Sequence, residues 1–410
     1  MRFSRWYLLF ILLIFIAAEA RAQHEGFIYG EIKLKNNQVY TGQIRWSGGQ
    51  MLWSDILLVA KQVNPNLKYL NEYQLKHLSK EGETPVLDWK FMNLWRDKYP
   101  ERKSEILCRF GDIAMIHVTG PEEAQLYYKS GSKIRLTVDE KENRHLGKDI
   151  VVYNNELVNT IKWSAISAIR FFAGPSRLSH LKGNPIYGTV MTTKGPFSGF
   201  IQWDKTKYMD NQQLEGMLNG EQRVQYDLMD IATVERLNQG ATVSLKSGKK
   251  VYLTDGRDVS AASRGIVVMH PQWGRVIVTW KAFRSLRLEP VPDKMGYEAY
   301  ARPKKIYATV STRDKKVYKG NCVFDMDEEW DCDLLEGNKD GMYYQIPFKY
   351  MNKMRPVGQS YANITLDDQR ELILGHHNDV TAKNWGILVW QSNSGYKYIP
   401  WNMISEISFR

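Results

Sequence analysis

Short runs in which apolar and polar residues alternate cover most of the chain, and clusters of Gly, Asn, Asp or Ser separate them. Alternation with period two places successive side chains on opposite faces, so these runs predict hairpin-connected strands. Ile28, Gly30, Ile32 and Leu34 share one face of the first strand, while Tyr29, Glu31 and Lys33 share the other. In the next strand Tyr40, Gly42, Ile44 and Trp46 have one parity. One segment breaks the rhythm. Between about residues 56 and 105, Thr84-Pro85 reads as a helix start. Phe91, Leu94 and Trp95 then fall on one helical face before Pro100, and Leu67, Leu70 and Tyr73 hint at a weaker helix.

The strand pattern is written three times. Tyr29-Gly30-Glu31-Ile32 leads to Tyr40-Thr41-Gly42-Gln43-Ile44-Arg45-Trp46. Tyr187-Gly188-Thr189-Val190 leads to Phe197-Ser198-Gly199-Phe200-Ile201-Gln202-Trp203-Asp204, and Tyr307-Ala308-Thr309-Val310 to Tyr318-Lys319-Gly320-Asn321-Cys322-Val323-Phe324-Asp325. Later landmarks recur as well: Glu215-Gly216 and Trp280 return 121 residues on as Glu336-Gly337 and Trp401. Periodicity of this kind predicts one structural unit per repeat. The units span residues 23–174 (with the insertion), 184–290 and 304–410, and each divides into a first and a second half of about five strands.

Aromatic-x-Gly-x-Ile-x-aromatic-Asp after a hydrophobic-x-hydrophobic strand resembles the first motif of Sm-like barrels and, more loosely, of SH3-like barrels. The bipartite unit is similar to tandem repeats of exported bacterial proteins. The resemblance implies an all-β fold in which each repeat is a pair of small barrels, with the mid-strand glycines Gly42, Gly199 and Gly320 bending strands around barrel corners. Asp204 and Asp325 match the motif's aspartate and Ser47 departs from it. The second Sm motif, which carries RNA contacts in that family, is not recognisable, so RNA binding is not implied.

Composition adds location. Arg2 and Arg5, an apolar core from Trp6 to Ala18, and Ala20-Arg21-Ala22 form a signal-peptide pattern over residues 1–22, with cleavage expected after Ala22. The apolar core is shorter than the ~20 residues that cross a bilayer, and no later stretch reaches that length. A periplasmic or secreted protein without a transmembrane segment is expected. Removing three arginines and one glutamate leaves 53 basic and 44 acidic residues, a balance of 53 − 44 = +9. No run of five like charges concentrates it, so nucleic acid is not an expected partner. Of the three cysteines, Cys322 stands where the other repeats have Ile44 and Ile201, as a buried apolar residue. A Cys322–Cys332 bridge is the alternative that an oxidising compartment leaves open.

Candidate chemistry is sparse. Asp325, Asp327, Glu329, Asp331, Asp333 and Glu336 have the spacing of calcium-loop ligands, but Trp330 occupies the position that such a loop gives to glycine. Calcium is the one cofactor the sequence suggests, and a solvated acidic loop is the alternative. Trp46, Trp163, Trp203, Trp280 and Trp401 recur at strand positions and are expected in the core. Tyr29, Tyr187 and Tyr307 face outward and are candidates for stacking on sugar rings. No nucleophile elbow, phosphate loop or His-Glu-x-x-His pair is present, and adjacent His376 and His377 would diverge. The expectation is a non-catalytic envelope protein. It presents its array to a protein partner; the insertion is expected either to cover an exposed barrel edge or to bind that partner through Phe91, Leu94 and Trp95. The alternative function is binding of glycan or peptidoglycan, and a hydrolase comes third.

Overall fold

The alternating runs do form strands, and all of their pairings are antiparallel. The computed structural model describes residues 24–46, 49–61, 64–75, 105–138, 145–154, 157–175, 183–391 and 395–410. The first repeat contributes β1 Tyr29–Leu34, β2 Val39–Arg45, β3 Ile56–Lys61, β4 Glu105–Arg109, β5 Ile113–Val118, β6 Glu123–Tyr128, β7 Lys133–Thr137, β8 Ile150–Asn154, β9 Leu157–Ile161 and β10 Ile166–Phe171. The second contributes β11 Tyr187–Thr192, β12 Gly195–Gln202, β13 Gln213–Leu218, β14 Gln222–Asp227, β15 Ile231–Leu237, β16 Gly240–Leu245, β17 Lys250–Thr254, β18 Ile266–His270, β19 Gly274–Val278 and β20 Phe283–Leu288. The third contributes β21 Tyr307–Thr312, β22 Val317–Phe324, β23 Leu334–Lys339, β24 Met342–Pro347, β25 Met351–Val357, β26 Tyr361–Leu366, β27 Glu371–Gly375, β28 Ile387–Gln391, β29 Gly395–Ile399 and β30 Ile404–Phe409. Among the described residues no helix is long and apolar enough to cross a membrane.

The first repeat is a 10-stranded sheet in the order β4-β3-β7-β6-β5-β10-β1-β2-β8-β9. The pairings of the second repeat give the same order, β14-β13-β17-β16-β15-β20-β11-β12-β18-β19, and those of the third give β24-β23-β27-β26-β25-β30-β21-β22-β28-β29. The second and third sheets join through β19 and β24 into one 20-stranded sheet.

Two expectations change. The strands do not close into pairs of separate barrels, because the last strand of each repeat is shared. β20 pairs with β11 along one edge and with β15 along the other, so both halves stay in one sheet. Nor do the halves follow one another. β13–β17 form one lobe inserted between β12 and β18 of the other, since β12 takes β18 as its partner. The lobes share a core: Val190, Ile201, Val268 and Leu286 belong to the same buried cluster as Leu214, Val234, Val243 and Leu253. The recurring tryptophans sit in these cores, with Trp203 5.4 Å from Phe283 and Trp46 5.2 Å from Phe110. Cys322 is buried at the isoleucine position, and all three cysteines are free and buried.

The mid-strand glycines serve a different purpose from a barrel corner. A Cβ on Gly199 would lie 2.3 Å from the Met269 carbonyl oxygen, and one on Gly42 would lie 2.2 Å from that of Tyr153. These positions let the eighth strand of each repeat cross close to the second. The insertion is also narrower than expected. β3 and β4 occupy the positions of the β13–β14 hairpin, so the extra chain is residues 62–104, replacing a turn of residues 219–221. The helix expected around Phe91, Leu94 and Trp95 lies outside the described residues. The described part of the insertion holds a 3-10 turn, Leu67–Tyr69, and one helical turn at residues 72–75. Leu70 packs there against Val323, Met326 and Leu388 of the third repeat.

Repeat one bridges the other two. Phe27, Met51 and Leu52 pack with Tyr187, Phe200, Val267 and Met269 of repeat two. The connection into repeat three is held in repeat one as well: Tyr297 donates its hydroxyl to the Ile113 carbonyl at 2.8 Å, and Lys129 Nζ donates to the Tyr297 and Tyr300 carbonyls at 2.6 and 2.8 Å. At this junction the buried Arg109 Nε meets Asp112 at 2.8 Å and Arg109 Nη1 donates to the Pro271 carbonyl at 2.8 Å.

Candidate functional site: a polar cleft shared by three repeats

Each repeat carries the same local device, and those of repeats one and three border the cleft. The third residue of strand three offers its backbone N–H to a side chain from the loop before strand eight: Leu58 to His145 Nδ1 at 2.9 Å, Glu215 to Asp258 at 2.8 Å, Glu336 to Asp379 at 2.7 Å. In the first two repeats the indole N–H that follows strand two donates to the backbone carbonyl of that same loop residue, Trp46 to His145 at 2.6 Å and Trp203 to Asp258 at 3.0 Å. The device fixes the loop over the core and aims neighbouring polar groups outward.

The repeats differ in what surrounds it. In repeat two, Lys207 pairs with Asp258, Arg223 with Glu215, and Arg264 with Asp204. Those carboxylates are neutralised within their own repeat. In repeat three, Glu328, Tyr343 and Trp385 stand at the positions of these three cations. Glu336 instead accepts bonds from the Tyr343 hydroxyl and from Gln345 Nε2 at 2.9 Å. His377 Nδ1 lies 3.1 Å from Asp379, and its Nε2 lies 3.5 Å from Glu336. Burial, reinforced by nearby Asp379, pushes the Glu336 carboxyl up to about 7.

This Glu336 wall faces repeats one and two across a cavity of about 840 Å3. Repeat one contributes Arg45, Gln50, Asp55, His145 and Lys148; repeat two contributes Gln202, Lys205, Tyr208 and Arg275. Asp55 Oδ2 accepts the Met51 and Leu52 amides at 2.8 Å each, and Oδ1 accepts from Gln202 Nε2 at 2.6 Å. Burial nevertheless raises its carboxyl above the usual range. His145 accepts the Leu58 amide at Nδ1, and its Nε2 lies 3.0 Å from Gln50 Nε2. Burial, with help from Lys148 and Arg275, lowers this imidazole to about 4, so it is neutral near pH 7. Lys205 is also lowered, by burial first and then by Arg275 and Arg264.

Arg275 is the distinctive group. The alternation of β19 buries Val276 and Val278 in the core and turns Arg275 into the cleft. Its Nε is buried and has no hydrogen-bond partner among the described residues. Burial lowers the guanidinium and Asp55 opposes that effect. Arg45, Lys148, Lys205 and Arg275 thus face one cavity that holds Asp55 and a Glu336 carboxyl half-protonated near neutrality. Such a wall can take up an anionic group, while Gln202, Gln345, Tyr343 and Glu336 supply bonds to hydroxyls.

The residues singled out from sequence lie mostly elsewhere. Tyr29 belongs to the buried cluster of repeat one, edge-on to Phe172 at 5.6 Å, and Tyr187 leaves its own core only to pack edge-on to Phe200 at 5.8 Å in the contact with repeat one. Both are buried, whereas Tyr307 is 37% exposed. The three do not form a common aromatic platform. Of the acidic series, Asp325 accepts the Trp385 amide, Asp331 accepts the Lys304 amide at 2.9 Å, and Asp333 accepts the Glu329 and Trp330 amides at 2.8 Å each. The Lys61 ammonium and the Asn64 amide reach the backbone oxygens of Asp327 and Met326. Glu336 alone of the series lines the cleft. Among the described residues no three His, Cys, Asp or Glu side chains converge as a metal-holding group. His376 and His377 diverge, one packing edge-on to Tyr361 at 5.9 Å and the other turning to Glu336.

Sequence reasoning missed Arg275, Asp55, His145 and Asp379. One signal was available, because Arg257-Asp258-Val259 returns 121 residues later as Asn378-Asp379-Val380. Arg275 carries no such mark. Comparison with family models, curated proteins and solved structures finds no match for this chain.

Proposed function

We propose that the protein is an exported, non-catalytic binding protein that holds an acidic, hydroxyl-rich ligand, such as a uronate-bearing glycan, in the cleft between its repeats. The observation that carries the reading is the Arg275 guanidinium, which lines a cavity flanked by Arg45, Lys148 and Lys205 and whose Nε has no hydrogen-bond partner among the described residues. A ligand carboxylate in the cavity would pair with this guanidinium through a charge-assisted contact, stronger than a neutral hydrogen bond. The polar remainder of the lining suits sugar hydroxyls better than an apolar ligand. This favours the glycan reading over a protein partner for the cleft itself, and it moves the site from the outward tyrosines to the charged wall.

The test is calorimetric titration with acidic and neutral oligosaccharides of equal length. The acidic series is expected to bind, with an affinity that falls as salt rises, and Arg275→Gln is expected to weaken it by about tenfold or more. Equal binding of the acidic and neutral series, or an unaffected Arg275→Gln protein, contradicts the reading. Export is tested separately, by N-terminal sequencing of the protein secreted by its host; a mature start at Gln23 is expected.

A further inference from the structure

Strand order makes every repeat end in two unlike edges. One edge is the ninth strand (β9, β19, β29) and the other is the fourth (β4, β14, β24). Inside the chain, the ninth strand of repeat two takes the fourth strand of repeat three, with Arg275 opposite Gln345, Val276 opposite Tyr344, Ile277 opposite Tyr343 and Val278 opposite Met342. The 20-stranded sheet therefore terminates in β14 and β29, the same two kinds of strand that have just been seen to pair.

We infer that β29 of one molecule pairs with β14 of a second copy of this chain, repeating the internal β19–β24 junction. Each of these strands has a strand partner along one edge only among the described residues, and Gln222, Arg223 and Gln225 of β14 and Gly395, Tyr396 and Lys397 of β29 are exposed, with Tyr69 packing on the Tyr396 ring at 4.9 Å. The internal junction also shows the space such a contact occupies. A Cβ on Gly274 would strike the Gln345 carbonyl oxygen at 2.3 Å, and one on Gly341 the Thr279 hydroxyl at 2.6 Å. At the open edges the matching glycines, Gly395 and Gly220, have nothing within 4 Å. Tyr344 is 4% exposed within the junction, while Val224, its counterpart in β14, is only half-buried.

Carrying the internal register across places Tyr396 opposite Gln225, Lys397 opposite Val224, Tyr398 opposite Arg223 and Ile399 opposite Gln222. No like charges meet in this register, and the aromatic ring of Tyr398 faces a guanidinium. One bond of the internal junction is lost. Thr279 donates its amide to the Gly341 carbonyl at 3.0 Å, and Pro400, which stands at that position, has no N–H. Because the two edges differ, the contact is head-to-tail and adds copies in an open row rather than closing a two-fold dimer.

The experiment uses the full mature chain. A Tyr396→Cys protein and a Gln225→Cys protein are mixed and mildly oxidised; the native cysteines are buried. A disulfide-linked dimer that forms in the mixture and not from either protein alone is expected, together with a weight-average mass for the native protein that rises with concentration in sedimentation. Circular dichroism verifies that both variants fold. Two outcomes overturn the inference: native protein that stays monomeric with no cross-link in the mixture, or Tyr396→Cys protein that cross-links to itself as readily as the mixture does.

Discussion

Replacing Gly199 by alanine tests why the thrice-repeated strand needs glycine. The added Cβ would lie 2.3 Å from the Met269 carbonyl oxygen and 2.9 Å from its carbon, both backbone atoms that no rotamer change can move. A carbon and a carbonyl oxygen normally approach to about 3.3 Å or more. β18 would therefore have to retreat by about 1 Å from β12, opening the ladder in which Phe200 faces Met269 and Ile201 faces Val268. Overpacking costs about 1–3 kcal/mol, and each weakened ladder bond adds about 0.5–1.5 kcal/mol. A loss of about 3 kcal/mol is expected. Gly188→Ala is the control. Its Cβ would lie 2.2 Å from the Arg287 carbonyl oxygen, yet repeat three carries Ala308 at the corresponding position, fully buried and paired with Phe409. The scaffold has thus already shown a way to accommodate that methyl, and a cost below about 1 kcal/mol is expected. Urea unfolding followed by tryptophan fluorescence measures both. Equal midpoints for the two variants would refute the close-crossing explanation.

Three further outcomes follow from the same geometry. Arg109→Ala should cost about 3 kcal/mol in urea unfolding, because it leaves the fully buried Asp112 with Lys349 at 3.6 Å as its cation and removes the tie to Pro271, whereas Arg109→Met with Asp112→Leu should recover part of that loss. The Glu336 carboxyl rises from 4.5 to about 7 on folding, so the folded chain binds its proton more tightly; its penalty is absent below pH 4.5 and complete above pH 7. Glu336→Gln should accordingly raise the melting temperature at pH 8 and leave it nearly unchanged at pH 4.5, and a change of equal size at both pH values contradicts the assignment. The three buried thiols should react with Ellman's reagent only after denaturation, and a reductant should leave the melting temperature unchanged.

The parts legible in the sequence are those that period-two alternation and internal repetition can encode. Strand content, the core role of Trp203 and Trp280, and the burial of Cys322 at an isoleucine position all follow from face and recurrence. The nesting of lobes was hidden, because alternation gives a strand's face and not its neighbour. Nothing local in β12 says that its partner is β18, more than sixty residues on, rather than the adjacent β13. The outward tyrosines illustrate the same limit. Tyr187 does leave its own core, yet Met51 and Leu52 of another repeat cover it. The cleft was least legible, since it assembles from residues whose counterparts in sibling repeats differ. Asp379 has the equivalent Asp258, but Lys207, Arg223 and Arg264 give way to Glu328, Tyr343 and Trp385, and this loss of internal cations leaves Glu336 facing Arg275's side of the cavity. The acidic series shows the same limit: its spacing along the loop does not say that Asp325, Asp331 and Asp333 accept separate backbone amides.

The decisive measurement for the cleft is a crystal structure of the protein soaked with an acidic oligosaccharide. Density for a carboxylate is expected within hydrogen-bond distance of the Arg275 guanidinium, with sugar hydroxyls toward Gln202, Gln345 and Glu336. An empty cleft at ligand concentrations that saturate binding in solution, or density on another surface, would contradict it.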